Sequence, residues 1–358
     1  MTDVNPTPED DVPEPRDTEG EAPEDGLDDD LDEDFEDDEF EHEDEDDREP
    51  EGAAPVRVAP EDMRCGFVAL VGAPNAGKST LLNQLVGSKV SIVSPKVQTT
   101  RNRVLGIAMA GPAQVIFVDT PGIFAPKKRL ERAMVAAAWQ GAADADAVVV
   151  LIDASARQLG ADTEAIIERM KADGRKAILA LNKIDEVPRE RLLPLAASLA
   201  ETGVFTDTFM ISALTGDGVP DLLDFLAKRV PQGPWHYPED QAADMPMRLL
   251  AAEITREKLF LRLHQELPYA LTVETESWEE FENGSVKIGQ TIFVERESQR
   301  SIVLGKGGAM IRGIGTAARL ELEEMMERRV HLSLYVKVRE GWKDDPERYR
   351  DLGLDFNA

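Results

Sequence analysis

"GFVALVGAPNAGKSTLLNQLVG", residues 66–87, decides the fold. Its first seven residues are a short, almost unbroken apolar run, as suits a strand buried on both faces of a parallel sheet. Its last nine, "STLLNQLVG", carry apolar residues at helical spacing. Between them, Gly72 to Ser79 fit G-x-x-x-x-G-K-[ST] in the strand–loop–helix setting that gives this pattern its meaning. Glycines let the backbone approach an anion closely, and a helix N-terminus adds free N–H groups and partial positive charge. Gly72, Ala73, Pro74, Asn75, Ala76, Gly77, Lys78, Ser79 and Thr80 are therefore expected to surround a nucleotide phosphate chain. Lys78 would reach the β- and γ-phosphates, and the Ser79 hydroxyl would bind Mg²⁺.

Outward from this loop the strand-then-helix pattern repeats. "AQVIFVDTPG" reads as a strand ending at Asp119, Thr120, Pro121 and Gly122. Asp119 would hold Mg²⁺ through a water, and the Gly122 N–H would meet the γ-phosphate. "KAILALNKID" ends at Asn182, Lys183, Ile184 and Asp185, and this stretch selects the base. A carboxylate at Asp185 accepts two hydrogen bonds from guanine, whereas adenine would leave it unpaired. Asn182 would address the other edge of the base and brace the loop, and the Lys183 stem would cover its face. In "TDTFMISALTG" the backbone of Ser212 and Ala213 would lie near the guanine O6. Between the phosphate loop and Asp119, the polar "SPKVQTTRNR" supplies Thr99 or Thr100, with Thr100 preferred, to close on Mg²⁺ and sense the γ-phosphate. Ile123 stands where Ras-like enzymes place the glutamine that orients the attacking water. Slow intrinsic hydrolysis is expected. A partner, a potassium ion or a threonine of the mobile loop would have to do that work, and Asn75 is a candidate ligand for a monovalent cation. Lys78, Thr100, Asp119 and Gly122 are the expected catalytic residues, and Ser79, Thr100 and Asp119 the metal set. The base-selecting stretch makes GTP the nucleotide and an ATPase improbable.

The remaining sequence divides by composition. Of the 358 residues, 1–51 hold 28 Asp and Glu against two Arg, a charge of −26 out of a net −30, so the rest carries only −4. A segment so acidic and so poor in apolar residues is expected to be disordered, to about Glu61. It serves solubility, or competes as a polyanion with RNA for a basic surface. A single cysteine, Cys65, permits no intrachain disulfide and suggests a reducing cytoplasm. The four histidines are scattered without zinc spacing. No apolar run approaches the roughly 18 residues that would span a membrane.

Helices are expected at 130–140, 163–172, 189–200 and 219–228, so strands and helices alternate. "VPQGPWHYPED", residues 230–240, reads as a linker. A helix of mixed charge and two alternating strands follow. Next come a strand-like "SIVL", the loop "GKGG" at residues 305–308, a helix at 317–328 and a last strand, "VHLSLYVKVRE". The second glycine loop lacks the frame of a nucleotide loop but fits G-x-x-G, which clamps the backbone of about four nucleotides of single-stranded RNA. Gly305, Lys306, Gly307, Gly308, Arg312, Lys287 and Arg300 are the expected RNA contacts, with Arg319 nearby. Ile302, Val303, Ile311 and Ile314 are the expected groove floor.

From about Arg64 onward the chain resembles the bacterial Era GTPases. The resemblance rests on "GAPNAGKSTLLNQLVGSKVSIVSPKVQTTRNRVLGI", "DTPGI", "NKID", "ISALTG", "REKL", "ELPYALTVE", "IFVERESQRSIVLGKGGAMIRGIG" and "VHLSLYVKVREGWKDD". It implies an α/β P-loop GTPase domain with a mixed, mostly parallel sheet, followed by a smaller α/β type II KH domain. The boundaries expected are an acidic tail at 1–62, the G domain at 63–231, a linker at 232–245, the KH domain at 246–341 and a C-terminal tail at 342–358. It further implies GTP/GDP and Mg²⁺, binding of the 3′ end of small-subunit ribosomal RNA, and a role in maturation of that subunit. A cytoplasmic monomer that touches the cytoplasmic face of the inner membrane peripherally is also implied. Family members hydrolyse GTP with an apolar residue at the position of Ile123.

Overall fold

The computed structural model describes residues 58–342, 345–351 and 353–358. The expected disorder of the acidic segment falls outside that range for residues 1–57. Residues 58–62 turn into the first strand, closed by the Asp62 N–H donating to the Ala59 carbonyl at 2.9 Å.

The first domain runs β1 (Arg64–Gly72), α1 (Lys78–Val86), β2 (Val104–Ala110), β3 (Ala113–Asp119), α2 (Arg129–Asp144) and β4 (Ala147–Asp153). It continues α3 (Ala161–Ala172), β5 (Ala177–Asn182), α4 (Arg189–Ala200), β6 (Phe205–Met210) and α5 (Val219–Arg229). Six strands lie in the order β2-β3-β1-β4-β5-β6. All neighbours are parallel except β2 and β3, an antiparallel pair. The sheet is therefore mixed and mostly parallel, as expected. The fully buried sequences of β3 and β5 follow from cover on both faces. One core lies under α1 and α5, around Leu70, Leu81, Phe117 and Leu222. The other lies under α2, α3 and α4, around Val71, Ala138, Ile166 and Leu192. The parallel strands all end at one rim, where the nucleotide motifs meet.

The segment expected as a linker is fastened to the G domain. The Cys65 N–H donates to the Pro231 carbonyl and the Gly233 N–H to the Met63 carbonyl, both at 3.0 Å. The side-chain oxygen of the buried Gln114 accepts from the His236 and Tyr237 N–H groups at 2.9 and 3.0 Å. Beyond them, the Ile107 N–H donates to the Ala242 carbonyl at 2.8 Å, so the open edge of β2 is partly paired. Proline and glycine set the path of this stretch, and backbone bonds hold it.

The second domain comprises α6 (Met247–Arg262), β7 (Leu271–Glu280), β8 (Val286–Val294), α7 (Glu297–Leu304), α8 (Ala309–Met326) and β9 (Val330–Val338). A short α9 (Pro346–Asp351) follows. Its sheet has the order β7-β8-β9, with β9 parallel to β8. Two expectations fail here. "SIVL" is the end of a helix, not a strand. The Gln299 side chain accepts the N–H groups of Glu295 and Arg296 at 2.8 and 3.1 Å and so starts a helix that the apolar run continues. A run of four apolar residues does not by itself separate strand from helix. The next helix starts at Ala309 rather than 317, because Ile314, Ala318 and Leu322 form its buried stripe at a spacing of four.

Candidate functional site

At the rim, Lys78 is buried and its ammonium donates to the Gly72 and Ala73 carbonyls, both at 3.0 Å. Burial pulls its pKa down to about 8, against the opposing pull of Asp119. Asp119 is completely buried, and burial pushes its pKa up, opposed by Ser79, Lys78, Ser91 and Thr100. Its Oδ2 accepts from the Ser79 hydroxyl at 2.7 Å and the Ser91 hydroxyl at 3.0 Å, while its Oδ1 has no partner. Thr100 Oγ1 lies 2.8 Å from Ser79 Oγ and 3.4 Å from Asp119 Oδ2. Thr99 turns away, its hydroxyl on Ser94 and on the Lys96 carbonyl. Of the two adjacent threonines, the structure brings Thr100 to Ser79 and Asp119.

These three side chains suit Mg²⁺: two hydroxyl oxygens converge on a carboxylate whose second oxygen is buried and unpartnered. The Lys78 ammonium is held by two carbonyls rather than by a carboxylate among the described residues. The cluster borders a small open cavity of about 70 Å³ that is also lined by Pro74, Asn75, Thr80 and Gly122. Gly122 closes against Pro74 from the opposite side, and the Thr120 hydroxyl donates to the Leu70 carbonyl at 2.9 Å. Ile123 is buried in the core, with its N–H on the Gly72 carbonyl at 3.1 Å, so it presents no group to a water. The Asn75 amide donates to the Pro95 carbonyl at 3.1 Å, which ties the phosphate loop to the threonine-bearing loop.

The base-selecting residues separate into braces and one free acceptor. Asn182 is buried; its amide N–H donates to the Ala76 carbonyl at 2.8 Å, and its oxygen accepts the Ala213 N–H at 2.9 Å. A side chain on Gly77 (φ 98°) would strike that amide at 2.2 Å, so glycine is required there. The bracing expected of Asn182 is present, and it uses one of the two amide N–H groups and one lone pair of the oxygen, which leaves a donor for a base edge. The Ala213 N–H is likewise engaged, and the Ser212 N–H donates to the Asp217 carbonyl at 2.9 Å. Lys183 (φ 66°) pairs with Asp153, which sets the course of its stem beside Ile184. Asp185 is exposed and has no hydrogen-bond partner among the described residues.

At the second loop, Gly305, Gly307 and Gly308 have φ of 69°, 57° and 77°, a left-handed path that only glycine follows without strain. The path turns the chain between α7 and α8, with Lys306 exposed at its tip. Arg312 reaches back to the Gly307 carbonyl at 2.7 Å. Arg300 is on α7 and pairs with Glu297, and Arg319 pairs with Glu323 on α8. Lys287 does not join this cluster. It opens β8, opposite His331, pairs with Glu279, and lies at the end of the sheet away from α7. Val303 and Ile314 are core residues and not a groove floor, whereas Ile302 is exposed.

Sequence reasoning missed the contacts between the threonine-bearing loop and the second domain. The Arg256 guanidinium donates to the Thr99 carbonyl at 2.5 Å. Glu257 accepts the Val93 N–H at 2.8 Å, and the Lys96 ammonium reaches the Phe260 carbonyl. Arg101, 3% exposed, donates to the Leu271 and Pro268 carbonyls. No local pattern marks an arginine that crosses to another domain.

Family models match at two places: residues 67–183 match one described as a 50S ribosome-binding GTPase, and residues 266–343 match a KH domain. The chain is 63% identical over 293 residues to the GTPase Era of Rhizobium meliloti, covering 82% of this chain and 93% of that one. It is 62% identical to the GTPase Era of Agrobacterium fabrum, covering 82% and 92%. Among solved structures it resembles Aquifex aeolicus Era bound to GDP and AlF4⁻, at 40% identity and a TM-score of 0.77, covering 81% of this chain and 99% of that one. The same figures hold for Era in complex with MgGDPNP and nucleotides 1506–1542 of 16S ribosomal RNA.

Proposed function

This chain belongs to the Era family of GTPases, and from that premise we propose that it is a GTP-driven switch in assembly of the small ribosomal subunit. Its KH domain binds the 3′ end of small-subunit ribosomal RNA, as the complex of its structural relative with 16S ribosomal RNA supports. The observation that carries the reading is the convergence of Thr100, Ser79 and Asp119 beside the phosphate loop.

The backbone N–H groups of residues 75–79 receive the β-phosphate, and Lys78 leaves its two carbonyls for the phosphate oxygens. Ser79, Thr100 and, through a water, Asp119 would hold Mg²⁺, which would neutralise phosphate charge when bound. Thr100 thereby reports whether the γ-phosphate is present. Asp185 selects guanine. With Ile123 buried, the group that orients water lies elsewhere, and Asn75 beside the Pro95 carbonyl is the candidate for a K⁺-assisted arrangement. Lys306 and the loop glycines take the RNA backbone, with Arg312 and Arg300 flanking.

The protein acts as a cytoplasmic monomer in this reading. Among the described residues no helix is long and apolar enough to cross a membrane, and a peripheral membrane contact rests on the family resemblance alone.

The test is binding of a short oligonucleotide matching the 3′ end of small-subunit ribosomal RNA to the full chain, with GDP or a non-hydrolysable GTP analogue. Tighter binding with the analogue, and multiple turnovers of GTP, are expected. Equal affinity in both nucleotide states would overturn the switch.

A further inference from the structure

Three consecutive residues face two domains. Thr100 points to Ser79 and Asp119 in the nucleotide site. On one side of it the Thr99 carbonyl is held by Arg256 of α6. On the other, the Arg101 guanidinium enters the KH domain and donates to the Leu271 carbonyl at 2.8 Å and the Pro268 carbonyl at 3.2 Å. Its carbon lies 5.6 Å from the Phe260 ring centre and 5.9 Å from that of Trp342. The seat thus draws on the end of α6, the start of β7 and the segment after β9. Adjacent Cα atoms are about 3.8 Å apart, so Thr100 cannot shift without pulling on both anchors.

The seat is also an unusual way to bury a cation. Among the described residues no carboxylate hydrogen-bonds to Arg101, its Nε has no partner, and Arg256 lies near it. Glu253 is the nearby carboxylate, and its hydrogen bonds go to Arg256, so the Arg101 guanidinium is desolvated against carbonyls and ring faces, a poor device for stability. It is a good device for a contact that must form in one state and yield in another.

We infer that Arg101 is the positioning residue that links closure of Thr100 on the nucleotide to the placement of the KH domain, and so to its RNA affinity. The inference rests on the switch reading above. Linkage is reciprocal: RNA that favours the seated arrangement must favour the GTP-bound state by the same factor. Phe260, Leu271 and Trp342 are the receiving side of this relay.

The experiment measures RNA affinity of the full chain with GDP and with the GTP analogue, in the native protein, Arg101→Met and Arg101→Lys. Coupled sites typically show ratios of about 5–150-fold. In Arg101→Met the ratio is expected to fall to near one, with GDP affinity and RNA affinity in the GDP state little changed. Arg101→Lys, which keeps the cation but loses the planar fork, is expected to restore part of it. If Arg101→Met does not fold, Trp342→Leu removes part of the receiving side without touching the nucleotide loop and is expected to lower the ratio. Native coupling that persists unchanged in a folded variant removes Arg101 from the relay and leaves the switch intact. A native ratio of one removes the switch reading and the relay with it.

Discussion

Asp185 and Asn182 lie three positions apart on one loop and do different work. Asn182 shares its amide between the Ala76 carbonyl and the Ala213 N–H, so it locks the phosphate loop to the base loop. Asp185 remains exposed, with an acceptor free for a base. Asp185→Asn is therefore expected to weaken GTP binding about 100-fold, from loss of two charge-assisted hydrogen bonds worth about 1.5 kcal/mol or more each. It is expected to favour xanthine nucleotides instead. Titration with fluorescent guanine and xanthine nucleotides measures both, and an unchanged GTP affinity would take Asp185 out of the base site. The identity of these residues was legible in "NKID". Their division of labour was not, because it depends on loops from three strand ends meeting at one rim.

At the scale of elements, the α7–loop–α8 unit explains why "GKGG" is a site and not a bland turn. Three glycines with positive φ bring two helix ends together with Lys306 exposed between them. Lys306→Ala is expected to weaken RNA binding similarly for all sequences and to reduce the slope of log K against log salt by about 0.7, the single-strand value for one phosphate. Nucleotide affinity should not change. Lys287→Ala should leave RNA affinity unchanged, because β8 carries that residue away from the loop. Parallel salt titrations of the two variants check the pair of expectations. A loss with Lys287→Ala would mean that RNA runs across the sheet as well. The sequence revealed the loop but not the helix before it, since "SIVL" suits either structure until the Gln299 side chain fixes the helix start.

Across the whole molecule, the two domains are joined by side chains that local patterns had left unassigned. Arg101, Arg256, Lys96 and Glu257 connect the switch loop to α6 and β7. The C-terminal stretch, expected as a tail, also returns to the G domain: Tyr349 and Leu354 are buried against Leu130, Ala133 and Met134 of α2. Arg129 lies over the Phe356 ring at 4.6 Å. Tyr349→Ala is expected to destabilise the protein by about 3 kcal/mol, the cost of truncating a large buried aromatic side chain. Urea unfolding measures it, and a change below about 0.5 kcal/mol, the range of surface substitutions, would mean that the stretch adds nothing to stability.

The sequence by itself determined the parallel strands, the phosphate loop, the guanine-selecting carboxylate and the glycine loop, because each depends on residues a few positions apart. Backbone geometry and side-chain chemistry at that range are nearly independent of the rest of the chain. Only the tertiary structure decided which threonine reaches Asp119, where Lys287 lies, and how Arg101 and Tyr349 cross between domains. Those facts depend on burial and on partners brought together by folding, from 19 residues away for Thr100 and Asp119 to 170 for Arg101 and Leu271, and no local pattern encodes them.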